Sequence, residues 1–122
     1  MKISIFSLVF KDRSIEDAIE MAARFGYDGI ELWGGDSHFP AWTSLEKAKE
    51  IRSMLDYHNL HVPCIGAYVG GFSAISDEQC EKALEDMEKY LYLMDVIKCD
   101  IIRVGCGGPH AFEAEKYHYQ KA

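Results

Sequence analysis
The chain has 122 residues, 48% of them hydrophobic, enough for one globular core and too few for two. A formal net charge of −7, with no local run of lysine or arginine, repels a phosphate backbone and sets nucleic acid aside as a partner. The apolar runs are short and broken by charges, and the first residues lack the basic start and small-residue cleavage site of a signal peptide, so a cytoplasmic protein with no membrane partner is expected.

In chain order, Lys2 to Leu8 alternates with period two and is rich in β-formers, which predicts a first strand. Ser14 with Asp17 three residues on predicts a capped helix start, and Ile15, Ala18, Ile19 and Ala22 share one apolar face. Gly26 is expected to end that helix, because glycine takes the left-handed conformation without a Cβ clash. Gly29 to Trp33 is the second predicted strand. After a loop with His38, Phe39, Pro40 and Trp42, Thr43 and Glu46 are read as the next capping pair, with Leu45, Ala48, Ile51 and Leu55 facing inward and Asn59 closing the helix.

His61 to Gly66 is the third predicted strand, and the loop from Ala67 to Ile75 leads to a third cap at Ser76 and Gln79. The long helix that follows is expected to turn Cys80, Ala83, Leu84, Met87, Leu91 and Met94 inward and to stop at the Lys98-Cys99-Asp100 turn. Asp100 to Gly105 is the fourth strand, and Pro109 opens a helix for which no stop signal precedes Ala122. The expected architecture is therefore α/β: a single domain over 1–122, built of parallel β/α repeats, with four strands and a truncated fourth helix. The rival is a small doubly wound sheet of flavodoxin type, but that needs five strands with apolar inner faces, and Glu31 and Arg103 spoil those faces.

Cys64, Cys80, Cys99 and Cys106 show no C-x-x-C spacing and are read as reduced, buried thiols. Cys106, between Gly105 and Gly107 near a helix start, is the one that could be reactive, and the Gly105 to Pro109 turn could bind an anion through free N–H groups or serve only as a tight turn. His58, His61 and His118 share no metal-like spacing and receive no role. Tyr90, Tyr92, Tyr117 and Tyr119 are read as packing residues.

The stretch Tyr27-Asp28-Gly29-Ile30-Glu31-Leu32-Trp33-Gly34, then His38-Phe39-Pro40, then Asp100-Ile101-Ile102-Arg103-Val104-Gly105 with Gly107-Gly108-Pro109, resembles the N-terminal half of the sugar phosphate isomerase/epimerase family. The resemblance implies a xylose-isomerase-like TIM barrel, of which roughly 250 residues make a whole, so this chain is expected to supply half of one. It further implies a divalent metal, Mn²⁺, Mg²⁺ or Co²⁺, held in the full-length family by two glutamates, an aspartate and a histidine at the ends of strands five to eight. Those glutamates move a proton at the carbon next to a carbonyl. None of those strands is in this chain, so no catalytic or metal residue is assigned, no cofactor is expected for it, and it is expected to be inactive alone. The endonuclease branch of the superfamily needs further histidines where this chain has Cys64 and Gly105-Cys106.

In such barrels the chemistry sits at the C-terminal ends of the strands. Expected substrate-binding residues are Glu31, Trp33, His38, Cys64, Tyr68, Arg103 and Cys106. Strand alternation sends Ile30 and Leu32 to the helices and Glu31 and Trp33 to the barrel interior. Laying Asp28 over Asp100 puts Glu31 and Arg103 at one level. That pair is read either as orienting sugar hydroxyls or as a structural ion pair, and if buried its disruption would cost roughly 3–5 kcal/mol. Trp33 is read as a wall for a sugar's C–H face or a barrel plug. His38 matches a family position near the substrate or is a solvated loop histidine, and Tyr68 could reach a ligand hydroxyl. Two functions follow as expectations. One is half of a metal-dependent isomerase or epimerase of a sugar or sugar phosphate; the other is a non-catalytic half-barrel that closes with a second copy or a partner through open sheet edges.

Overall fold
Each helix begins where a serine can accept a free backbone N–H. In the computed structural model, which describes residues 1–70 and 76–105, Ser14 accepts from Asp17 N, Ser44 from Lys47 N and Ser76 from Gln79 N. These caps open α1 (Ile15–Arg24), α2 (Leu45–Tyr57) and α3 (Asp77–Ile97). The second cap falls on Ser44 where Thr43 was expected, because the Thr43 hydroxyl is already used, donating to Pro40 O at 2.7 Å. The chain leaves α1 through Gly26 at φ 78°, and leaves α2 and α3 through Asn59 at 53° and Lys98 at 58°.

Between the helices run β1 (Ser4–Phe6), β2 (Gly29–Trp33), β3 (Ile65–Gly70) and β4 (Ile102–Gly105), all parallel and in the order β1-β2-β3-β4. Neighbours in sequence are neighbours in the sheet. A flavodoxin-type sheet reverses direction at its first strand, so that alternative is excluded. The helices cover one face, where Ile30, Leu32, Ile65, Ala67 and Val69 meet Ile15, Ile19, Ile51, Leu55, Leu93 and Ile97. Glu31 and Trp33 lie on the other face of β2, as alternation requires.

Three expected boundaries move, each for a local reason. The first strand stops at Phe6, and Ser7–Phe10 forms a 3₁₀ turn, because Ser7 turns inward to take the next hydrogen bond with its side chain. The third strand begins at Ile65 rather than His61: Pro63 has no N–H for a ladder, and His61 makes only an isolated bridge to Gly29. Cys64 consequently precedes the strand instead of capping its end, while Tyr68 and Gly70 become strand residues. The fourth strand likewise starts later, at Ile102.

The buried face of α3 is also rotated from the expected one. Ala83, Tyr90, Leu93 and Ile97 are buried, with Met87 and Met94 packed beside them, whereas Leu84 and Leu91 are more than half exposed. Tyr90 decides this, since its hydroxyl donates to Phe39 O at 2.9 Å and fixes which side of the helix meets the sheet. Tyr92, read as packing, is exposed. On α2, Leu45 is exposed at the helix start. Cys64, Cys80 and Cys99 are free thiols, and burial pushes the Cys99 thiol pKa up. The expected fourth helix, Cys106, His110, Tyr117, His118, Tyr119 and most of the Gly105 to Pro109 turn lie outside the described residues. No described helix is long and apolar enough to cross a membrane.

Candidate active site
The face of the sheet turned away from the helices carries Phe6, Glu31, Trp33, Gly66, Tyr68 and Arg103. Its geometry follows from register. Trp33 pairs with Gly66, and Gly66 with Arg103, so Arg103 stands level with Trp33 and two residues above Glu31. The level expected from laying Asp28 over Asp100 is corrected by this shift. Arg103 nevertheless reaches back: its Nε lies 4.0 Å from Glu31 Oε1.

Gly66 makes that reach possible. A Cβ there would lie 2.7 Å from Phe6 Cε2 and 2.9 Å from Arg103 Nη2, so the missing side chain is the space that the two groups fill. The guanidinium sits over the Phe6 ring, 5.2 Å from its centroid, which orients the charge without consuming its donors. The Arg103 side chain is 56% exposed and that of Glu31 28%. This is not a buried pair, so the large penalty for breaking one does not apply, and its contribution to stability is on the order of 0–1 kcal/mol. What the arrangement offers chemically is a donor fork and a carboxylate acceptor at one place. Such a pair can grip adjacent hydroxyls or an anionic oxygen.

His38 is neither solvated nor exposed to the open face. It is 3% exposed, and both ring nitrogens are engaged. Arg13 O can only accept, so the Nε2 facing it at 3.1 Å carries the proton, and Nδ1 accepts from the Ser7 hydroxyl at 2.9 Å. Ser7 Oγ in turn accepts from Trp33 N–H at 2.8 Å. A single relay thus runs from the end of β2 through Ser7 and His38 to the loop before α1, and it holds Trp33 in place. Ser7 lies at the end of the first predicted strand, but one serine after an alternating run reads as more strand and does not signal the inward turn.

Burial pushes the His38 pKa below its ordinary value near 6.5, outweighing the raising influence of the Arg13 and Phe10 carbonyls and of Glu16. A lowered folded pKa means that the unfolded chain takes up the proton first. Stability from this group is therefore full above about pH 6.5 and falls as pH drops from there through the folded value, with a slope of at most about 1.4 kcal/mol per pH unit. Urea unfolding across this window is expected to show the decline, and His38→Phe is expected to flatten it.

Trp33 meets His38 edge-on at 5.3 Å and Tyr68 edge-on at 6.1 Å, so it is a packed junction with its indole N–H buried and without a hydrogen-bond partner among the described residues. Tyr68, 66% exposed, stands free above it. Cys64 lies below the mouth, its pKa raised first by burial and then by Glu31. A cavity of about 440 Å³ opens at the C-terminal ends of β3 and β4 over Tyr68, Gly70 and Arg103. A further cleft of about 560 Å³ lies at the opposite end of the sheet, where Arg52 is already held by Asp56 and by the Ile97 and Leu60 carbonyls. That end is built for stability. Among the described residues no group of three or more His, Cys, Asp or Glu side chains could hold a metal ion, so the described residues do not fit the metal that the resemblance implies.

The family described as xylose isomerase-like TIM barrel matches residues 19–121. Among solved structures, the probable 3-DHS dehydratase AsbF of Bacillus anthracis, involved in petrobactin synthesis, is 27% identical, with a TM-score of 0.67 over 85% of this chain and 38% of that one. A xylose isomerase-like TIM barrel/4-hydroxyphenylpyruvate dioxygenase fusion protein is 20% identical, with a TM-score of 0.67 over 85% of this chain and 16% of that one, a likeness of fold alone. Comparison with curated proteins finds no match.

Proposed function
Because the chain belongs to the xylose isomerase-like TIM barrel family, we propose that it forms the N-terminal half of an enzyme that interconverts polyhydroxylated carbonyl compounds, sugars or sugar phosphates, by moving a proton at the carbon next to the carbonyl. The observation that carries this is the Glu31–Arg103 pair, set at 4.0 Å on the open sheet face beside Trp33 and Tyr68. Its part is to bind and orient hydroxyls, which fixes the carbon that reacts. The divalent metal and the groups that carry the proton belong, in this reading, to residues other than those described here. The likeness to a structure described as a probable dehydratase fits the same class, since isomerisation and loss of water from a hydroxy-carbonyl compound can both begin with removal of that proton.

The test is solvent exchange. The full-length product of the reading frame, incubated with aldoses and ketoses in D₂O with and without Mn²⁺, is expected to place deuterium next to the carbonyl of its substrate. Arg103→Met is expected to lower kcat/KM at least about tenfold, about 1.4 kcal/mol of lost transition-state binding, while the unfolding midpoint moves little. Absence of exchange into every carbonyl sugar tried would overturn the reading.

A second reading rests on the sheet order, which leaves β1 and β4 with no strand on their outer sides among the described residues, and on Ile3 and Ile101, exposed at 52% and 60% beside those edges. Such edges invite pairing with a second copy. Light scattering on the 122-residue chain distinguishes the two: a monomer at high concentration excludes self-association.

A further inference from the structure
Tyr68 and Val69 line two cavities. One is the 440 Å³ cavity that Arg103 also lines, and the other, of about 130 Å³, is lined besides by Gly34, Gly35, Asp36, Trp42, Asp86 and Tyr90. Trp42 and Tyr68 are 68% and 66% exposed, among the described residues the two large aromatic faces at this end of the sheet that the core does not use. Tyr68 meets Trp33 in a T-shaped contact on one side and is open to solvent on the rest of its surface.

The polar groups of the smaller cavity divide into used and unused. Tyr90 spends its hydroxyl on Phe39 O, and Asp86 is held by Lys89 at 3.1 Å and Lys82 at 4.0 Å. Asp36 and the Trp42 indole N–H have no side-chain partner among the described residues. What remains is two aromatic faces, one carboxylate acceptor and one indole donor. An aromatic face takes the apolar C–H side of a sugar ring, while an acceptor and a donor at its rim take hydroxyls. An apolar ligand would leave Asp36 desolvated and unpaired, and a phosphate would be repelled by it.

We propose that this outer cavity is a second sugar subsite, so that the substrate is a disaccharide-sized carbohydrate whose reacting ring lies over Arg103 and whose other ring passes Tyr68 to rest on Trp42. The inference rests on the carbohydrate reading above and adds the length of the substrate to it. Gly34 and Gly35 let the loop pack directly on Tyr90 and Trp33, since a Cβ on Gly34 would reach within 2.8 Å of Tyr90 Oη and one on Gly35 within 2.2 Å of Trp33 Cζ2.

The chain has two tryptophans, hence two indole N–H signals in a ¹⁵N spectrum, assignable with Trp42→Phe. Titrated into the labelled 122-residue chain, maltose or cellobiose is expected to shift the Trp42 signal saturably and to bind about tenfold more tightly than glucose. Trp42→Ala is expected to reduce disaccharide affinity to that of glucose and to leave both the glucose affinity and the Trp33 signal unchanged. Equal affinities for glucose and the disaccharides, or a Trp42 signal that does not move, would overturn the second subsite while leaving a single-sugar enzyme in place. Failure of every sugar to bind this chain would overturn the second subsite, and the exchange test on the full-length product decides the enzyme reading separately.

Discussion

Ser7→Ala is expected to lower unfolding free energy by about 2–6 kcal/mol, because it strips a partner from two buried groups at once, each worth roughly 1–3 kcal/mol when left unpaired. Ser7 is fully buried, and its oxygen accepts from Trp33 N–H at 2.8 Å while its hydrogen goes to His38 Nδ1, 2.9 Å away. Among the described residues neither group has an alternative partner: the Trp33 N–H points to the edge of β2 that β1 has just left, and the other His38 nitrogen is tied to Arg13 O. Against a total stability that in such domains is typically about 5–15 kcal/mol, the loss is large. Urea midpoints of Ser7→Ala, His38→Phe and the double variant form a cycle, and a coupling of about 0.5–3 kcal/mol is expected because the two side chains share one hydrogen bond. A Ser7→Ala midpoint equal to that of the parent would mean that water enters and replaces the hydroxyl, and the relay would then not be what holds Trp33.

That relay also marks where sequence reasoning stopped. Caps, turns and the faces of α1 and β2 were legible because each depends on neighbours within about four residues: Ser14 with Asp17, Gly26 after α1, Ile30 and Leu32 alternating with Glu31 and Trp33. The family and the parallel repeat followed from the same local units. What failed was long-range. Ser7 and His38 are 31 residues apart, and nothing in either segment says that the loop histidine turns inward. The rotation of α3 is similar, since Tyr90 was chosen over Leu91 by a carbonyl 51 residues away. The Glu31–Arg103 contact was foreseen through a wrong register, and of its two readings the buried structural pair is the one the exposure removes. It forms because an arginine is long enough to span the two-residue offset and because Gly66 leaves the room.

Gly66→Val is therefore the sharpest test of the open face. The Gly66 carbonyl accepts from Gly34 N at 2.9 Å, and the residue pairs with Trp33 on one side and Arg103 on the other, so the backbone of β3 cannot retreat without breaking two ladders. The new side chain must instead evict the Phe6 ring and the Arg103 guanidinium, whose nearest atoms lie 2.7 and 2.9 Å from where the Cβ would stand. Overpacking of this kind costs about 1–3 kcal/mol. The effect on ligand binding is expected to exceed the effect on stability, because the guanidinium loses both the ring beneath it and its reach to Glu31. Phe6→Leu in the Gly66→Val background restores room and is expected to recover most of the urea midpoint. It is not expected to recover sugar affinity, since no ring remains to orient the charge. If the double variant recovered both, Phe6 would be filler and Arg103 would find its position from Glu31 alone; if Gly66→Val lost neither, the three side chains would not be packed against one another in solution.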